Sequence, residues 1–141
     1  MRSTLQRYRC AWRSSGGLSS EKGKAGVKVH FLYDLETFVP AFFHITKASV
    51  HDSKVMCEIP YESGSYYVFD RGYNAFKELF KIHKRDSFFI VRAKKNLRYK
   101  CVRWRRLPEN VLTDSEIILT EETSFEKYPE ELRLVRYHDD E

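Results

Sequence analysis

With 141 residues, 42% hydrophobic side chains, 10 Phe and 9 Tyr, the chain has the make-up of one domain with a real core, which excludes wholesale disorder. No apolar run approaches the ~20 residues of a membrane span and no signal-peptide segment opens the sequence, so a cytosolic protein with no membrane partner is expected. The net charge of +5 conceals a division: residues 1–110 hold 22 basic and 10 acidic side chains, residues 111–141 hold 3 and 10. A field as basic as that of the first part attracts a polyanion such as nucleic acid through counterion release.

Residues 1–21 have neither a helical nor a strand period, and Ser and Gly fill their second half, which reads as loop. A message encoding Cys10 to Glu21 can also, in another frame, give Cys-Leu-Glu-Val-Phe-Trp-Trp-Ala-Phe-Phe-Arg. The N-terminus is therefore expected to be an out-of-frame relic, which the gene's nucleotide sequence tests. From residue 22 the pattern changes. Val27, Val29, Phe31 and Tyr33 alternate with Lys28, His30 and Leu32, and Phe38 to Ile45 mirror them around Asp34-Leu35-Glu36-Thr37, which predicts a hairpin. Pro40 places the second strand at an edge or near its own start. Ser49 to Ser53 open a short helical stretch, with His51-Asp52 as its cap, that Pro60 stops.

The central stretch runs from Tyr66 to Asn96. Tyr66, Tyr67, Val68 and Phe69 form an apolar β-prone run, and Asp70 comes where it stops. Asn74 is the expected cap of a helix whose apolar face carries Phe76, Leu79, Phe80 and His83, with Lys81, Lys84 and Arg85 in its last turn. Residues 87–91 make a second apolar strand that runs into Arg92, Lys94 and Lys95. Strand, acid, helix and strand make a βαβ unit with a parallel pair. Chemistry in open α/β sheets gathers at the carboxyl ends of strands, the edge where Asp70 and the Arg92 to Lys95 cluster fall.

The fold expected is thus α/β, with a mixed sheet built from the hairpin at 26–45 and the strand at 66–69, the strand at 87–92 adding in parallel. Phe69, Phe76, Leu79, Phe80, Phe89 and Val91 should be buried. Without a strand before residue 22, this sheet would leave an edge open. Cys10, Cys57 and Cys101 are widely spaced and form no CxxC pair, so they read as buried small hydrophobes rather than as disulfides or zinc ligands. The five histidines have no metal-ligand spacing, and Asp34 reads as a turn residue.

Lys22 to about Tyr99 resembles the catalytic domain of bacterial insertion-sequence transposases of the DDE type, the insertion-sequence-four family with its RNase H-like fold. The stretches KGKAGVKVHFLYDLETFVPAFFHIT, ASVHDSKVM, IPYESGSYYVFDRGY and FFIVRAKKN carry the likeness, in the family's order. The resemblance implies two-metal nucleotidyl transfer with Mg²⁺ or Mn²⁺ held by Asp, Asp and Glu. It places the second Asp at Asp70, as catalytic residue and metal ligand. It also implies DNA partners, both transposon ends and target DNA, contacted by Arg71, Arg92, Lys94 and Lys95. The oligomeric state is left open.

The sequence departs from that family at both ends. The first Asp belongs to an Asp-Ser-Thr strand, where this chain has Arg2-Ser3-Thr4. The last Glu belongs to a helix with a Tyr-Arg-Glu-Lys register that is missing, since Pro129 interrupts Glu126, Glu130 and Glu131. Residues 99–141 resemble the start of a β-rich insertion, with strands at Tyr99 to Trp104, Glu116 to Thr120 and Leu132 to Tyr137 and Trp104 as a core aromatic. The expected division is a relic at 1–21, a partial catalytic domain at 22–98 and a truncated insertion at 99–141. Two functions follow: a truncated transposase, or a non-catalytic DNA-binding remnant. A generic nuclease of the same fold would need an acid in a strand before Lys22.

Overall fold

The computed structural model describes the backbone of Tyr8–Ser14 and residues 26–137 in full. It divides into two compact units, Met1–Lys94 and Lys95–Glu141.

The first unit is built on five strands: β1 (Tyr8–Ser14), β2 (Val27–Asp34), β3 (Pro40–Lys47), β4 (Tyr66–Phe69) and β5 (Phe88–Val91), in the spatial order β3-β2-β1-β4-β5. β2 runs antiparallel to both of its neighbours, β1 and β3, while β4 runs parallel to β1 and β5 parallel to β4. The reading of residues 1–21 as irregular therefore fails for Tyr8–Ser14. Their composition has no strand period, but both sides of this backbone are paired, and pairing of that kind overrides weak local preference. The expected adjacency of the hairpin and Tyr66–Phe69 is corrected as well, because β1 lies between them and closes the edge foreseen there. Pro40 opens β3, an outer strand of the sheet, where its missing N–H costs no ladder bond.

Ala11 pairs with Leu32 on one side and Phe69 on the other, so these two side chains stand in one row on one face. That face is covered. A 3₁₀ helix, Asp52–Glu58, buries Val55 and Met56, and α1 (Phe76–Lys84) buries Leu79 and Ile82. Together with Leu32, Tyr67, Phe69 and Tyr73 they form the core, and each fully buried Leu or Ile contributes roughly 2 kcal/mol. The helical stripe centres on Leu79 and Ile82, one position round from the predicted one, so Phe76, Phe80, Phe89 and Val91 are only half-buried. On the opposite face Phe43, Ile45, Phe88 and Ile90 are half exposed or more.

His51 caps the 3₁₀ helix as foreseen, its Nδ1 accepting from the Ser53 amide at 3.3 Å. Asn74 does not cap α1, whose N-cap is Ala75. A turn through Gly64, at φ 76°, where glycine is the unstrained residue, leads into β4.

The second unit is an antiparallel sheet of β6 (Tyr99–Trp104), β7 (Val111–Leu119) and β8 (Leu132–Tyr137) in that order, with α2 (Glu122–Lys127) between β7 and β8. Ser115, Ile117, Leu119 and Tyr128 are buried in it. The three strands fall where the sequence put them, β7 starting earlier. Trp104 is the exception: it is 66% exposed rather than part of a core. The burial expected for the cysteines fails too, since Cys57 is exposed and Cys101 half-buried, while the side chain of Cys10 lies outside the described residues.

Candidate active site at the end of the central parallel strand

Asp70 follows the last residue of β4 and is exposed at the carboxyl edge of the parallel pair. Its Oδ1 accepts from the Arg71 amide at 2.7 Å, which makes Asp70 the cap of a second 3₁₀ helix, Arg71–Tyr73, rather than of α1. Phe69 pairs with Val91. Asp70 and Arg92 therefore leave neighbouring strands at matching positions, about 5 Å apart in backbone.

Each residue after Asp70 is fixed by a different contact. At Gly72 an added Cβ would stand 2.9 Å from Oδ2 of Asp52, so the turn and the first 3₁₀ helix approach as closely as only glycine permits. Asp52, itself buried, pairs with Lys28 Nζ at 3.3 Å, and the same ammonium donates to the Val50 carbonyl at 2.9 Å. The Tyr73 hydroxyl shares a 2.8 Å hydrogen bond with His30 Nδ1, whose Nε2 lies 3.0 Å from Thr46 Oγ1. A buried polar line thus runs from β3 through β2 to the turn. Asn74 donates from Nδ2 to the Arg92 carbonyl at 3.2 Å, tying the end of β5 to the same turn.

Sequence reasoning named Asp70, Arg71 and Arg92 but missed Lys28, His30, Asp52, Tyr73 and Asn74 as supports. One signal was available: Lys28 and His30 share the inward face of β2 with Leu32, and a polar side chain there needs a partner. Arg71, Arg92 and Lys94 are exposed, as is Lys95 at the start of the second unit. Beneath α1, burial drives the Tyr61 phenol far above its ordinary pKa, and the Glu78 carboxylate adds to the rise.

The family model described as "Transposase DDE domain" matches residues 6–132 of the chain. The chain belongs to the DDE transposase family. A protein of Sinorhizobium fredii (strain NBRC 101917 / NGR234), y4zB, named as a transposase, is 36% identical over 98 residues, 70% of this chain and 26% of that protein. The chain thus spans about a quarter of that relative's length. No solved structure matches.

Members of this family use divalent metals, and the donors here can be weighed against that. Among the described residues no three His, Cys, Asp or Glu side chains gather in a way that could hold a metal ion. Asp52 is neutralised by Lys28, and Asp34 spends Oδ1 on the Glu36 and Thr37 amides of its turn, at 2.9 and 3.1 Å. β1, next to β4, reads YRCAWRS and has no acid. Asp70 alone does not fit a two-metal centre, which needs several hard oxygen ligands.

Proposed function

We propose that the chain is the central part of an insertion-sequence transposase of the insertion-sequence-four type, with Asp70 in the place of the second carboxylate of the triad. The observation that carries this is the position of Asp70. It closes the strand beside the central β1, in a sheet ordered β3-β2-β1-β4-β5 with only β2 antiparallel to β1. That arrangement supports the RNase H-like fold, and the family match supports DNA as substrate. In the intact enzyme the activity would be phosphodiester hydrolysis at a transposon end, followed by attack of the freed 3′-hydroxyl on target DNA, with Mg²⁺ or Mn²⁺. Arg71, Arg92, Lys94 and Lys95 would hold the DNA backbone, in the cytoplasm.

Among the described residues Asp70 joins no group of three side chains that could hold a metal ion, which favours a second statement: this 141-residue form is a partial copy that binds DNA without cutting it. The test is Mg²⁺- or Mn²⁺-dependent nicking of transposon-end DNA by four proteins. They are this chain and a repaired chain with an Asp restored on β1 and the downstream Glu helix restored, each with and without Asp70→Ala. Nicking by the repaired chain that depends on Asp70, with background from this chain, is the expected result. Metal-dependent nicking by this chain that Asp70→Ala abolishes would refute the partial-copy statement. An active repaired chain indifferent to Asp70→Ala would refute the role of Asp70.

A further inference from the structure

The open face of the second unit's sheet has a charge arrangement that the Asp70 edge does not use. Asp114 and Glu116, alternate residues of β7, lie beneath Arg103 of β6, Arg105 just after it and Arg133 of β8. Arg133 donates from Nε and Nη2 to both carboxylate oxygens of Asp114 at 2.9 and 2.7 Å. Arg105 donates from Nε and Nη2 to Glu116 Oε1 at 3.1 and 2.6 Å, and Arg103 Nη1 lies 2.9 Å from Glu116 Oε2. The carboxylates are sunk, with side chains 3% and 12% exposed, whereas Arg103, Arg105 and Arg133 are 68%, 46% and 55% exposed.

Lys100, opposite Ile118, falls on the same face, beside the three arginines that stand over the two acids. The segment from Lys95 to Arg106 holds six Lys and Arg side chains and no acid. A guanidinium has five N–H donors. Arg105 and Arg133 each spend two on a carboxylate below, which leaves three on a half-exposed plane already held in place. Pre-ordered forks of this kind suit the paired oxygens of a phosphate and lose less freedom on binding it. A ladder that served only to stabilise the sheet would need no cations beyond those that neutralise its acids.

We infer that the open face of β6–β8 is a second DNA-backbone surface, with Arg103, Arg105 and Arg133 as phosphate contacts held by Asp114 and Glu116. The inference rests on the reading of the chain as a DNA-acting transposase. The experiment measures binding of a random-sequence DNA duplex over a range of salt concentrations. Three proteins are compared with the original chain: Arg103→Gln/Arg105→Gln/Arg133→Gln, the charge-conserving Asp114→Asn/Arg133→Gln/Glu116→Gln/Arg105→Gln, and Arg92→Gln/Lys94→Gln/Lys95→Gln. The second strands no buried acid and so guards against misfolding, which circular dichroism checks.

The triple Arg variant should weaken binding roughly tenfold or more and lower the slope of log K against log salt by about 3, at about 0.9 per lost contact. The charge-conserving variant should lower the slope by about 2, although its net charge is unchanged. Folded sheet variants that keep the original slope, while the Arg92/Lys94/Lys95 variant loses it, would overturn the surface and leave the transposase reading standing. No binding by the original chain would overturn the DNA reading, and the surface with it.

Discussion

Removing one oxygen atom tests how the turn after β4 is held. Tyr73→Phe keeps the ring and its packing against Phe69, at 6.1 Å between centroids, but deletes the hydroxyl 2.8 Å from His30 Nδ1. Tyr73 is 1% and His30 3% exposed, so water cannot take the vacated place without opening the core. The loss is therefore that of one buried hydrogen bond, about 0.5–1.5 kcal/mol. The His30 to Thr46 contact at 3.0 Å remains and keeps the cost below that of losing the whole line. Each kcal/mol should lower the melting midpoint by roughly 4–8 °C in a unit of this size. Urea unfolding followed by circular dichroism gives the difference, and a double-mutant cycle with His30→Leu isolates the pair. Coupling of about 0.5 kcal/mol or more is expected. Tyr73→Phe within about 0.3 kcal/mol of the original chain, or strict additivity with His30→Leu, would refute the tether.

Gly72→Ala should destabilise by about 1–3 kcal/mol, because its Cβ meets a carboxylate that Lys28 holds; Asp52→Ala in the same chain should recover part of this, and an unchanged urea midpoint would reject the clash. Leu79→Ala should cost about 2–5 kcal/mol in the same assay, and a loss under about 1 kcal/mol would contradict its place in the core. In the second unit, hydrogen bonds from Arg133 and Arg105 hold Asp114 and Glu116 below the usual carboxylate range. Their stabilisation is thus present above that range and lost as pH falls below it. A circular dichroism titration should show acid unfolding of this unit, with a weaker pH dependence in Asp114→Asn. Cys57 is exposed, yet desolvation first and the Glu58 hydrogen bond next raise its thiol pKa. Alkylation at pH 8 should therefore be slower than for a free peptide thiol, as mass spectrometry of the Cys57 peptide would show.

The elements most legible in the sequence are those whose residues carry their own pattern. The β2–β3 alternation and the apolar run ending at Asp70 appear where the local pattern puts them, and the strands of the second unit follow the resemblance to a β-rich insertion, with β7 starting earlier. β1 was illegible because what makes it a strand is two neighbours, one of them far along the chain, and nothing within Tyr8–Ser14. The supports of the Asp70 turn were hidden for a related reason. Lys28 and Asp52, or His30 and Tyr73, become partners only once the sheet brings them together. Asn74 was assigned a helix cap on local grounds, whereas its side chain finds a carbonyl on β5. Trp104 was assigned to a core, but on β6 it is two-thirds exposed.

The place of β1 has a consequence for how the polypeptide assembles. It leaves the ribosome before the strands that flank it, and β2 and β3 can fold onto one of its sides as they follow. The other side must wait for β4, since Tyr8 pairs with Tyr66. At roughly 5–20 residues per second, that leaves a bare strand edge for several seconds of synthesis. During that interval another nascent chain can pair with the edge as readily as β4 can. Yield of soluble protein should therefore depend on how fast the segment between β3 and β4 is translated, and on the spacing of ribosomes along the message.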